Sequence, residues 1–289
     1  MDNRSEIRDF LTSRRAKITP ERAGVTSYGS RRVAGLRRAE VAQLAGVSVE
    51  YYSRLERGNL TGVSDSVLDA LARALRLDEA ERAHLYDLAR AAGPAARKRR
   101  RPPPQGVRAN VQRLLDAMTE APAVVMNGRT DALAANQLGR ALFVPVYAGP
   151  SRPPNFARFT FLDSRARDFW GDWDRIADDT VEMLRAQAGR DPYDRALTDL
   201  IGELSTRSEE FRTRWAAHDV RLHRTGIKHF RHPVIGELHL TFEVMDLATD
   251  EGLSLVAYGT EPGTASEDGL RLLASWSATQ AQDADANRS

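Results

Sequence analysis

Nine side chains between Arg37 and Arg57 have the types and spacing to read a nucleic acid: Arg37, Arg38, Ser48, Val49, Glu50, Tyr51, Ser53, Arg54 and Arg57. The stretch from Val49 reads as the exposed face of one helix. Short polar, aromatic and Arg side chains near a helix N-terminus can reach base edges in the major groove of double-stranded DNA. Arg37 and Arg38, at the start of the preceding helix, would lie against phosphates, which set position without reading sequence. An ordinary helical hairpin would also explain a glycine at Gly46. The number of matched positions and the basic surround favour DNA.

Other chemistry finds little support. His218 and His223 are five apart and His229 and His232 three apart, without a Cys or a His-Glu-x-x-His arrangement, so no metal is expected. His218, beside Trp215, reads as a satisfied core histidine or as a ligand contact. Arg221 reads as an ion pair with Asp219 or as a clamp on a ligand carboxylate. Asp172, Asp174, Asp178 and Asp179 gather at a helix start, where carboxylates suit the positive end of the dipole. With no Gly-x-Ser-x-Gly, phosphate-cradling loop or dinucleotide fingerprint, no catalytic residue, no cofactor and no enzymatic activity are expected.

The DNA-reading side chains need two short helices meeting at a tight corner. Ala42 supplies the small crossing residue, Gly46 tolerates positive φ in the turn, and Val41, Val47, Tyr52 and Leu55 lock the pair. Ser48 caps the second helix. Around it the pattern predicts helices over Arg4–Ala16, Leu36–Ala45 (inner stripe Leu36, Val41, Leu44, Ala45), Val49–Arg57 ending at Gly58, a helix capped by Ser64 with Leu68, Leu71 and Leu75 inside, and Glu79–Ala92 opened by the Asp78/Glu81 capping box. The first part is therefore expected to be an all-α, five-helix domain over residues 1–96.

Charge divides the chain at the same place. Residues 1–101 hold 21 Lys and Arg against 13 Asp and Glu, whereas the 289-residue whole is only +2. A basic first third suits a polyanion partner. Five cations followed by three prolines, residues 97–104, predict a stiff extended linker. With no Cys, a polar first ten residues and no apolar run near the ~18 residues of a membrane span, a cytoplasmic chain without membrane contact is expected.

Residues 105–277 read as a second domain, and 278–289 as a flexible tail. Helices are predicted over Val107–Thr119, Asn136–Phe143, Trp173–Ala188, Asp194–Leu204, Glu209–Asp219 and Gly269–Trp276. Strands are predicted over Ala123–Met126 and Leu133–Ala135, joined at the Asn127-Gly128 hairpin signal, and over Leu238–Val244 and Leu253–Thr260. Strands at both ends with helices between them predict an α+β sensor, an antiparallel sheet with one face covered by helices. Its aromatics, among them Phe156, Phe159, Trp173, Phe211, Trp215 and Phe242, build cores and apolar pockets alike.

The run Gly35 to Ser48, followed by Tyr51 to Gly58, closely resembles Xre-type helix-turn-helix regulators of actinobacteria. Pro122–Val125, Asn127–Asn136, Trp173–Arg190, Phe211–Arg221 and His232–Leu238 resemble the MmyB-like ligand-binding domain that accompanies them. The resemblance covers about nine-tenths of the chain, and its second set of motifs is the more specific. It implies a PAS-like fold around a sequestered hydrophobic, fatty-acid-like ligand. Asn136, His218 or Arg221 would meet the polar end, and Phe156, Phe159, Trp173, Phe211, Trp215 and Phe242 would line the apolar part. Ala135 departs from the family, which usually has an aromatic there. The expected protein is a transcription regulator that binds an operator as a homodimer. The other reading is a ligand-free DNA-binding scaffold that recruits a partner protein.

Overall fold

The computed structural model describes residues 3–25, 33, 35–93, 106–217 and 224–286. The predicted linker, His218 and Arg221 lie outside them. In chain order the helices are α1 (Asn3–Lys17), α2 (Pro20–Ala23), α3 (Arg38–Ala45), α4 (Val49–Glu56), α5 (Asp65–Ala74), α6 (Glu79–Ala92) and α7 (Ala109–Ala117). Next come β1 (Ala123–Asn127), β2 (Ala132–Ala135), α8 (Gln137–Leu142), α9 (Val144–Tyr147), α10 (Phe156–Leu162), α11 (Ala166–Phe169), α12 (Trp173–Arg190), α13 (Arg195–Arg207) and α14 (Glu209–Ala216). The chain closes with β3 (Thr225–His232), β4 (Gly236–Asp246), β5 (Leu253–Gly259) and α15 (Ala265–Ala286). Two compact units result. Unit 1 holds residues 1–101, 182–202 and 213–222; unit 2 holds 102–181, 203–212 and 223–289.

Unit 1 carries the five predicted helices, with α2 as an added single turn. Its core is Ile7, Phe10, Leu11, Leu36, Val41, Tyr52, Leu55, Leu71, Leu85 and Leu88, all fully buried. Local capping chemistry sets the boundaries. Asp78 and Glu81 exchange backbone and side-chain bonds of 3.0 and 2.8 Å and start α6 where the capping box placed it. Leu44 departs from the predicted inner stripe: Val41, Ala42 and Ala45 fill the inner face of this short helix, and Leu44 is 40% exposed. Leu36 is buried but precedes α3, its N–H donating to the Arg15 carbonyl at 3.1 Å.

The later stretches of unit 1 are held by charge as well as by packing. Arg185, with no exposed surface, pairs with Glu6 at 2.5 Å, donates to the Trp215 carbonyl, and places its guanidinium 4.1 Å from the Trp215 ring centre. Arg190 meets Asp87 at 3.4 Å. Burial lifts the Glu6 carboxyl above its ordinary value, and Arg185 pulls it back down.

Unit 2 is built on a five-stranded sheet in the order β2-β1-β5-β4-β3, with every neighbouring pair antiparallel. The predicted alternation in β4 holds: Leu238, Leu240 and Phe242 are buried, while Glu237, His239, Thr241 and Glu243 are exposed. The expectation that helices cover one face needs correction. Val124 packs into the main core, whereas Ala123 and Val125 join Val111 and Leu115 of α7 on the other face. A strand covered on both faces reads as an unbroken apolar run, as Ala123-Val124-Val125 does.

The hairpin between β1 and β2 is present, but not as a two-residue turn. Met126 pairs with Ala132, and residues 128–131 lie between the strands. The Asn127 side chain organises this loop by accepting from the N–H groups of Arg129 and Asp131, at 2.9 and 3.1 Å, and the positive φ falls on Thr130. The last helix also differs from expectation, continuing to Ala286 where a frayed end was predicted. The main core is aromatic. Phe143 meets Phe156, Tyr258 and Phe230 edge-on, with centroids 4.9, 5.5 and 5.9 Å away.

Candidate functional site

The corner between α3 and α4 forms from local chemistry. Gly46 adopts φ 66° and ends α3, its N–H donating to the Gln43 carbonyl at 3.2 Å. Ser48 Oγ accepts from the Tyr51 N–H at 3.1 Å and starts α4. At the other end Gly58 has φ 95°, and a Cβ there would lie 2.3 Å from the Arg4 carbonyl oxygen. Gly58→Ala should therefore cost about 2 kcal/mol or more in unit 1, from backbone strain plus a clash with α1. A melting temperature equal to wild type would show that the exit of α4 relaxes freely.

Of the nominated DNA-contact residues, Arg37, Arg38, Ser48, Val49, Glu50, Arg54 and Arg57 are exposed, and Tyr51 and Ser53 are half-buried. Arg54 stacks its guanidinium 4.8 Å from the Tyr51 ring centre, which presents both groups together on the outer side of α4. Arg38 has a structural partner as well. Its Nε donates to Glu56, a carboxylate with no exposed side-chain surface that also accepts from Arg15 Nε at 2.7 Å. Glu56 raises the already high pKa of Arg38, so this cation stays charged while half its side chain faces solvent. Sequence reasoning missed Glu56. The available signal was its place four residues after buried Tyr52, on the inner face of α4.

The nominated ligand residues have various surroundings. Asn136 caps α8, and all its hydrogen-bonding positions are engaged inside the protein. Oδ1 accepts from the N–H groups of Ala123 and Gly139, at 3.0 and 2.7 Å, and Nδ2 donates to the carbonyls of Met118 and Ala121, at 2.6 and 2.7 Å. Phe159, Trp173 and Phe242 are buried in the main core with Phe156 packed against it, and Trp173 Nε1 donates to the Thr160 carbonyl at 3.0 Å. Phe211 meets Phe161 edge-on at 5.1 Å. Trp215 groups with unit 1, where its ring lies 4.1 Å from the Arg185 guanidinium.

Unit 2 also has an open pocket of about 410 Å³ lined by Ala132, Leu133, Ala134, Arg140, Tyr147, Arg152, Pro153 and Pro154. Arg140 lies over the Tyr147 ring at 5.6 Å, and the buried Tyr147 hydroxyl has no hydrogen-bond partner among the described residues. Burial pushes that phenol's pKa up, keeping it a neutral donor. The pocket shares no residue with the nominated set. Arg140, Tyr147 and Arg152 meet through the loop after α9, a convergence that sequence spacing does not show.

A capped helix-turn-helix pair offering an Arg-bearing helix, carried on one chain with an α+β unit, has the make-up of a DNA-binding protein with a second functional unit. Comparison with known families identifies both parts and makes the chain a ligand-sensing transcription regulator. Residues 9–85 match a helix-turn-helix domain, and residues 107–273 match the MmyB-like transcription regulator ligand binding domain. The second match spans more than half of the chain, which therefore belongs to the MmyB-like transcription regulator family. Both families are regulatory rather than enzymatic. No curated protein sequence matches the chain. Among the described residues no helix is long and apolar enough to cross a membrane.

Proposed function

We propose that this chain is a sequence-specific, non-enzymatic, cytoplasmic regulator that binds its operator as a homodimer and senses a hydrophobic, fatty-acid-like ligand through unit 2. The observation that carries the DNA half is the exposed outer side of α4, with Arg54 stacked on Tyr51 and Arg37 and Arg38 at the start of α3. Two-fold binding would set half-sites about 34 Å apart or a multiple of that. Arg54→Ala should cost roughly 1–3 kcal/mol at the operator and relax preference at one base position. Arg37→Ala should weaken all sequences alike and flatten the salt slope by about one. Fluorescence anisotropy at several salt concentrations separates the two, and unchanged affinity in both variants would exclude this face.

Support for the ligand half comes from the family and from the pocket beside β2. Leu133, Pro153 and Pro154 offer apolar wall, while Arg140 and Arg152 suit a carboxylate end. Native mass spectrometry of the purified protein should show a carried-through apolar acid, and a delipidated sample should gain melting temperature when such an acid is returned. Protein that carries no small molecule, ignores added acids and instead retains a partner protein would favour the scaffold reading.

A further inference from the structure

We propose that His229, Glu237 and His239 form a binding site for one borderline divalent cation of the Zn²⁺ type, on the face of the β3–β4 pair away from the main core. His229 and His239 are directly opposed in the antiparallel ladder. Glu237 stands two residues before His239 and so shares its face. The inward residues of these strands, Phe230, Leu238 and Leu240, are buried on the other side. One ligand atom from each of the three side chains lies within 4.8 Å of the others. His229 Nε2 and Glu237 Oε2 are 3.9 Å apart. A tetrahedral ion with ligand bonds of about 2.1 Å separates its donors by about 3.4 Å. Glu237 and His239 are exposed, so modest side-chain rotation closes the set.

Two further observations single out this cluster. The imidazole of His229 is seated against Gly171, where a Cβ would lie 2.2 Å from Nδ1. Only glycine leaves room for the ring in that position. The seating turns Nε2 toward Glu237, and that nitrogen is buried without a hydrogen-bond partner among the described residues. The imidazoles of His229 and His239 are stacked at 4.2 Å and 12°. Of the nearby charges, Asp172 is negative and Arg231 positive, and Arg231 donates to the Gly171 carbonyl at 3.4 Å. Two imidazoles and a carboxylate suit Zn²⁺, with a fourth position left for water.

A bound ion would staple β3, the outer strand of the sheet, to β4. The test uses the untagged full chain, stripped with chelator and titrated with ZnCl₂ by calorimetry, with Co²⁺ absorption as a second readout. One Zn²⁺ per chain, an intense tetrahedral Co²⁺ spectrum and a melting temperature that rises with Zn²⁺ are expected. His239→Ala should weaken binding by more than the roughly 10–100-fold typical of losing an outer partner. Because His239 is exposed, that variant should melt like the wild type without metal. Substoichiometric binding, an unchanged aquo-like Co²⁺ spectrum, or equal affinity in His239→Ala and wild type would overturn the site. Operator binding without metal is scored separately, so failure here leaves the regulator reading intact.

Discussion

Arg185→Met should destabilise the folded chain by about 3–5 kcal/mol at neutral pH. Arg185 has no exposed surface, and Glu6, which it meets at 2.5 Å, is 4% exposed. The substitution fills much of the same volume but removes the guanidinium that the buried carboxylate faces, together with its place over the Trp215 ring. Glu6 already has a raised pKa, because burial outweighs the pull of Arg185, and losing Arg185 raises it further. A folded-state pKa above the unfolded one means that the folded chain holds the proton more tightly, so stability falls as pH rises through that interval. The deficit should therefore be largest at neutral pH and shrink as pH is lowered toward 4.5, the ordinary Glu value. Adding Glu6→Gln should recover most of the loss. Urea unfolding at two pH values measures this, and a deficit below about 1 kcal/mol with no pH dependence would rule out a controlling role for the pair.

Asn136→Ala should cost about 3–4 kcal/mol in unit 2, measured on protein stripped of any ligand. The side chain serves two N–H groups and two carbonyls and is 1% exposed. Truncation leaves those four backbone groups short of a partner in a site too enclosed for easy rehydration. Asn136→Asp should rescue only part of this, since a carboxylate keeps both acceptor roles but faces two carbonyl oxygens with no hydrogen to donate. If Asn136 acted only through a ligand, the stripped variant would melt with the wild type and differ only once an apolar acid is added.

What the sequence disclosed follows the range of the interactions involved. The α3–α4 corner was legible because its determinants lie within a few residues: Gly46 at positive φ, Ser48 on the Tyr51 N–H, and Tyr52 and Leu55 turned inward. α6 was legible for the same reason. β4 was legible because one face is dry and the other wet. β3 was not, since it exposes Ile227, half-buries Lys228 and His229, and owes its place to pairing with β4. The opposition of His229 and His239 is a matter of register that no local spacing encodes. Arg185 sits in a charged helix, and only the arrival of Glu6, 179 residues away along the chain, explains its burial. Helices α10 and α11 are short turns shaped by the aromatic core and carry too few residues to show a period.

Helix α12 runs unbroken from Trp173 to Arg190, yet it passes from unit 2 to unit 1 between Val181 and Glu182. Unit 1 is thus assembled from three separated stretches of chain, two of which fall inside the span matched by the ligand-binding family. For anyone recombining such regulators, a cut in the basic, proline-rich stretch near residue 100 parts Glu6 from Arg185. A chimera cut there would keep Glu6 and discard the buried Arg185 that it faces. An exchange of sensors between relatives should succeed only when Glu6 and Arg185 come from the same parent.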